Sequence, residues 1–86
     1  MVSLVESWID LEEYAKWCRT GAYQMRETVE GIELRIYTGR FGFVKCFKNT
    51  EDPLFNHILE FCKTEGFIKV LGNVPDEMFF SPSRES

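Results

Sequence analysis

The chain has one histidine, three cysteines without a Cys-x-x-Cys pair and no long apolar run, and each shortage removes a class of function. His57 cannot by itself build a triad or a multi-histidine metal centre, and with Glu60 it supplies one pair where metal-binding bundles use two. Cys18, Cys46 and Cys62 are too scattered for a disulfide framework or a zinc site, which points to reduced thiols in a cytoplasmic protein. No segment approaches the ~20 apolar residues of a membrane span, and Met1 to Asp10 lacks the basic start of a targeting signal. Basic residues are also short: 10 Lys and Arg against 14 Asp and Glu leave a net charge of −4, whereas general nucleic-acid binders show a basic excess. Internal repeats and low-complexity tracts are lacking as well.

What is present is core material. Hydrophobic residues make up 44% of the chain beside 28% charged ones, and eight Phe with two Trp supply bulk. An 86-residue chain supports one core. The expectation is a single α+β domain over residues 1–80, followed by a disordered tail at 81–86.

Ile32 to Phe47 is the densest alternation in the chain. Ile32, Leu34 and Ile36, then Phe41 and Phe43, recur with period two around Thr38-Gly39, which predicts two antiparallel strands joined by a two-residue turn. That turn sets Ile36 opposite Phe41 and Leu34 opposite Phe43. One face is then apolar, with Lys45 at its end and its ammonium reaching water. The other carries Glu33, Arg35, Tyr37, Arg40, Gly42, Val44, Cys46 and Lys48. Ala22 to Val29 predicts a preceding strand, turning through Glu30-Gly31, which sets Arg26 opposite Arg35.

Two helices flank this meander. The first is placed from an Asp10 cap, in preference to Ser7, through Leu11, Tyr14, Ala15 and Cys18 to a stop at Gly21. The second starts at Asp52-Pro53, places Phe55, Ile58, Leu59 and Cys62 on one stripe, and ends at Gly66 with Phe67 folding back. Ile68 to Leu71 predicts a short strand parallel to the meander. The order is α-β-β-β-α-β: a three-stranded antiparallel meander, two helices on one face and a short fourth strand. Residues 2–8 fit either a helical extension or a strand. Met78-Phe79-Phe80 fits either a cover over the core edge or a partner-binding peptide.

The second sheet face is the candidate site. Arg and Tyr around an apolar centre match the anchors of protein interfaces, which nominates Arg26, Arg35, Tyr37, Arg40, Val44 and Lys48 as partner contacts. The expected function is a small non-enzymatic interaction module: a subunit, adaptor or inhibitor, one subtype serving a nucleic-acid-handling complex. It docks a larger protein or complex through the open face or an edge strand, with a homodimer as the other use of that face. No catalytic residue, cofactor, metal or membrane contact is expected.

Phe41-Gly42-Phe43-Val44, after Thr38-Gly39-Arg40 and before the Asp52 helix, resembles the aromatic signature on the third strand of RNA-recognition-motif domains. The resemblance implies single-stranded RNA binding, with Phe41 and Phe43 stacking on bases and Arg40 on phosphate. The signature's early glycine is Arg40 here, and its final aromatic falls on Cys46. The period-two pattern also puts both Phe residues on the core face.

Overall fold

The computed structural model describes residues 3–18 and 21–80, and the expected tail at 81–86 lies outside them. In chain order the elements are β1 (Ser3–Leu4), α1 (Trp8–Ala15), β2 (Ala22–Thr28), β3 (Gly31–Thr38), β4 (Phe41–Phe47), α2 (Pro53–Thr64), β5 (Ile68–Lys69) and the single-turn α3 (Asp76–Phe79). The strands form one sheet in the order β1-β4-β3-β2-β5. The α+β class holds, but the sheet is mixed rather than a plain meander. β2, β3 and β4 are antiparallel, while β1 runs parallel to β4 and β5 parallel to β2. Of the stretch 2–8 left open between helix and strand, Ser3–Leu4 form β1, a fifth strand beside the expected four, and Trp8 opens α1.

Both hairpin registers differ from expectation by two residues. Gly39 has a φ of 74°, so it leads the turn instead of closing it. Thr38 then pairs with Phe41, Ile36 with Phe43 and Leu34 with Lys45. In the first hairpin Thr28 pairs with Gly31, leaving Val29 and Glu30 as the turn. A two-residue slide preserves faces because side chains alternate with period two, so Tyr23, Leu34, Ile36, Phe43 and Phe47 stay on the core face, while Val29 leaves the strand for the turn and is exposed. The cross-strand partners do not. Arg26 faces Glu33, and Arg35 faces Gln24, so the expected pair of opposed arginines is absent.

α1 begins one turn before Asp10, with Ser7 as the extended cap residue. Burial accounts for the shift: Trp8, Leu11 and Ala15 form the buried stripe, and the Trp8 ring meets Phe43 at 5.6 Å and Phe61 at 5.4 Å. The helix also stops short of Gly21. Lys16 caps it, and the N–H groups of Trp17 and Cys18 close tight turns onto Tyr14 and Ala15. Cys18 therefore leaves the helical stripe, and its thiol lies 3.5 Å from the Thr38 carbonyl oxygen.

α2 follows its sequence signals closely. The Asp52 carboxylate accepts from the Leu54 N–H at 2.9 Å, with Pro53 at the first helical position. At the other end Gly66 takes a φ of 77°, and the Phe67 N–H donates to the Cys62 carbonyl at 2.9 Å. That closure drops Phe67 beside Phe61. Phe55, Ile58 and Cys62 join Leu34, Ile36, Phe43 and Phe47 in the core between the helices and the sheet. Burial pushes the Cys62 thiol up to about 12, leaving it unreactive as well as inaccessible. Across the helix pair, His57 Nε2 lies 3.1 Å from Glu12 Oε1 at the surface. Among the described residues no helix is long and apolar enough to cross a membrane.

Candidate functional site

The sheet face turned away from α1 and α2 is not open. After β5 the chain crosses it as a strap, residues 72–80, ending in α3. Two neighbouring side chains tie the strap down. Gln24 Nε2 donates to the Gly72 carbonyl at 2.6 Å, and Arg35 Nη1 donates to the Val74 carbonyl at 3.0 Å. Gln24 and Arg35 are cross-strand partners, and Arg35 Nη1 also donates to Gln24 Oε1. Aromatic cover completes the contact. The guanidinium carbon of Arg35 lies 4.6 Å from the Phe79 ring centre and 5.7 Å from that of Phe80.

Arg35 is consequently 0% exposed, where the alternation pattern places it on an open face. Burial first, and then the charge of Arg26, pull its pKa below the ordinary guanidinium range, while Asp76 and Glu33 oppose that shift. It stays protonated. Its one close anionic neighbour on the strap is Asp76, with Oδ1 2.9 Å from Nη2. The approach is out of line with the N–H bonds, so Nε and Nη2 make no hydrogen bond among the described residues.

The other nominated contacts divide. Arg26 lies beside this centre, half-buried, with Nε donating to Glu33 Oε1 at 2.8 Å. Val44 is exposed next to Arg35 in the same cross-strand row. Tyr37 is half-buried one row along, where burial, and then the neighbouring Cys18, push its phenol above the usual range. Arg40 and Lys48 flank β4 at opposite ends, both exposed, and do not join the others. Sequence reasoning missed Gln24 and Asp76, and left Phe79 and Phe80 open between core cover and a binding peptide. The available signal was Gly42, a glycine inside a strand, which marks a close approach. A Cβ built there would sit 2.7 Å from the Phe80 ring and 3.0 Å from Leu4. Of the undecided apolar triplet, Phe79 and Phe80 are buried cover and Met78 is exposed.

Between the strap and β5 the same face holds an apolar groove of about 320 Å³. Tyr37, Ala22 and Ile68 form its floor as consecutive partners across β3, β2 and β5. Val74, Met78 and Phe79 of the strap form its wall. Ile68, Leu71 and Met78 are 69%, 75% and 66% exposed.

Neither aromatic of the RNA-binding resemblance reaches this face. Phe43 is buried against Trp8, and Phe41 packs edge-on to Tyr14 at 4.6 Å. Cys46 is exposed, with its thiol 3.6 Å from the Thr28 hydroxyl, and no group of three His, Cys, Asp or Glu side chains converges among the described residues. The fold and its second face define an α+β domain with two helices on one side of the sheet and a strap on the other. Comparison with family models, with curated proteins and with solved structures finds no match.

Proposed function

We propose that the chain is a small non-enzymatic interaction module, a subunit, adaptor or inhibitor, that docks a larger protein through the β5 edge and the groove beside it. The observation that carries this reading is the groove's composition together with its position. The Ile68 and Val70 N–H groups donate inward to the Gly21 and Tyr23 carbonyls at 3.0 and 2.8 Å. By alternation the N–H and C=O of Lys69 turn to the outer edge. An extended segment of the partner can hydrogen-bond there and place an apolar side chain in the groove, so that backbone pairing supplies adhesion and the groove supplies selectivity. Exposed Ile68, Leu71 and Met78 are the anchors this mode needs.

The contact surface is thus drawn from Tyr37, Ile68, Leu71, Val74 and Met78. Arg35 supports the groove's wall from beneath, through the strap. Arg26, Val44, Arg40 and Lys48 lie outside the groove's lining.

Ile68→Asp is the discriminating variant because Ile68 is exposed, so the change places a charge in the groove and leaves the core intact. A nuclease-treated lysate of the source cell is passed over the tagged wild-type chain and over the variant. The expected result is a defined protein retained by the wild type and lost with Ile68→Asp, at an unchanged melting midpoint. Equal retention by both chains, or recovery of RNA alone, would overturn the reading.

A further inference from the structure

The strap holds Arg35 incompletely. A fully buried guanidinium ordinarily has its donors satisfied, and those left without partners carry a desolvation penalty. Here Nη1 is satisfied by Gln24 and Val74, while the Nε–Nη2 edge makes no hydrogen bond among the described residues. Asp76 stands 2.9 Å from Nη2 but out of line, 3.9 Å from Arg26 Nη2, with 65% of its side chain in solvent. A carboxylate set squarely against Nε and Nη2 would make two parallel charge-assisted hydrogen bonds where Asp76 makes none.

We infer that the Arg35 face is a carboxylate-recognising peptide site that the strap occupies in cis. Its ligand in trans is an acidic-aromatic segment of another protein: a carboxylate followed three and four residues later by aromatic rings, the spacing of Asp76, Phe79 and Phe80. Charge complementarity selects the carboxylate, since Arg35 and Arg26 stand together and Glu33 hydrogen-bonds Arg26 alone. The two rings are selected by the guanidinium plane and by the bare backbone at Gly42, where Phe80 lies. Displacement is feasible because, among the described residues, few groups hold the strap: two side-chain hydrogen bonds to its backbone, the Asp76 carboxylate shared between Arg35 and Arg26 at 2.9 and 3.9 Å, and two phenyl rings. Gly72, with a φ of 89°, lies at its start. A strap tethered in cis outcompetes a weak trans ligand by its high effective concentration, so only a segment with better carboxylate geometry takes its place. This surface is distinct from the β5 edge and is reached only when the strap lifts.

The test uses the full chain carrying Asp76→Asn and Phe80→Ala, titrated into a fluorescein-labelled peptide of the natural sequence of residues 72–80 and read by anisotropy. The expected result is binding at least tenfold tighter than to the wild-type chain, and at least tenfold weaker when the peptide, which without the tether is free to set its carboxylate against Nε and Nη2, itself carries Asp76→Asn. A second copy offering its own strap would appear as a concentration-dependent dimer, and its dissociation by the peptide would support the site. If the double variant fails to fold, Phe80→Leu replaces it, keeping apolar cover over Gly42 while removing the ring from Arg35. The Asp76→Asn peptide separates this site from the groove, whose lining is apolar and has no use for a carboxylate. Equal affinity for the acidic and Asp76→Asn peptides, or no binding by a folded variant, would overturn the inference.

Discussion

Phe43→Ala is expected to lower the melting midpoint of the domain by more than about 12 °C. Phe43 is 1% exposed, packs edge-on against Trp8 of α1 and faces Ile36 across the hairpin, so it joins helix, strand and strand at the centre of the core. Truncating a buried phenylalanine costs about 3–5 kcal/mol, the lost transfer free energy plus the cavity that remains. Small domains hold only ~5–15 kcal/mol in total. At roughly 4–8 °C per kcal/mol for a chain of this size, the melting midpoint should fall by more than about 12 °C. A thermal melt followed by circular dichroism checks it. The RNA-binding reading requires the opposite: a base-stacking Phe43 would be exposed, and its removal would weaken RNA binding while leaving the midpoint nearly where it was.

The neighbouring residue gives the second large effect, on the other side of the sheet. Gly42→Val places a Cβ within 2.7 Å of Phe80 and 3.0 Å of Leu4, and its methyl groups need more room still. Overpacking of this kind costs about 1–3 kcal/mol. The strap yields first, because it is held by far fewer contacts than β4, which β3 and β1 flank. The expected outcome is a modest fall in the midpoint, with amide exchange accelerated in residues 72–80 and unchanged in α2. Uniform acceleration across strap and helix alike would mean that the strap and the helical core unfold as one unit. Adjacent substitutions thus separate two layers: position 43 holds the helices to the sheet, and position 42 admits the strap.

Much of this arrangement is legible in the sequence, and the parts that are not share a cause. α2 is marked at both ends, because Asp52-Pro53 and Gly66-Phe67 are local signals that act within one turn. The core face of the hairpins is equally plain, since period-two alternation survives any two-residue slide. Register is less visible. It depends on which turn position Gly39 occupies, and the residue names around it fit two turns equally well. β1 is two residues long and carries no pattern of its own; its place is fixed by β4, to which the Ser3 and Val5 N–H groups donate through the Arg40 and Gly42 carbonyls. The strap is hardest to read. Gly72, Asn73 and Pro75 look like a tail, and only the far-off Gly42 hints that Phe80 returns to the sheet. Arg35 looks like a surface anchor for the same reason: alternation tells which face a side chain takes, not what later covers that face.

The most direct test is a proton NMR spectrum of the full chain, with the Gly42 Hα resonances assigned. With the Phe80 ring packed over that glycine, one Hα should move well upfield of its unstructured position and show a nuclear Overhauser contact to the ring protons. Unshifted Gly42 Hα resonances, with no contact to Phe80, would mean that the second sheet face is open in solution and that Arg35 has no strap to hold.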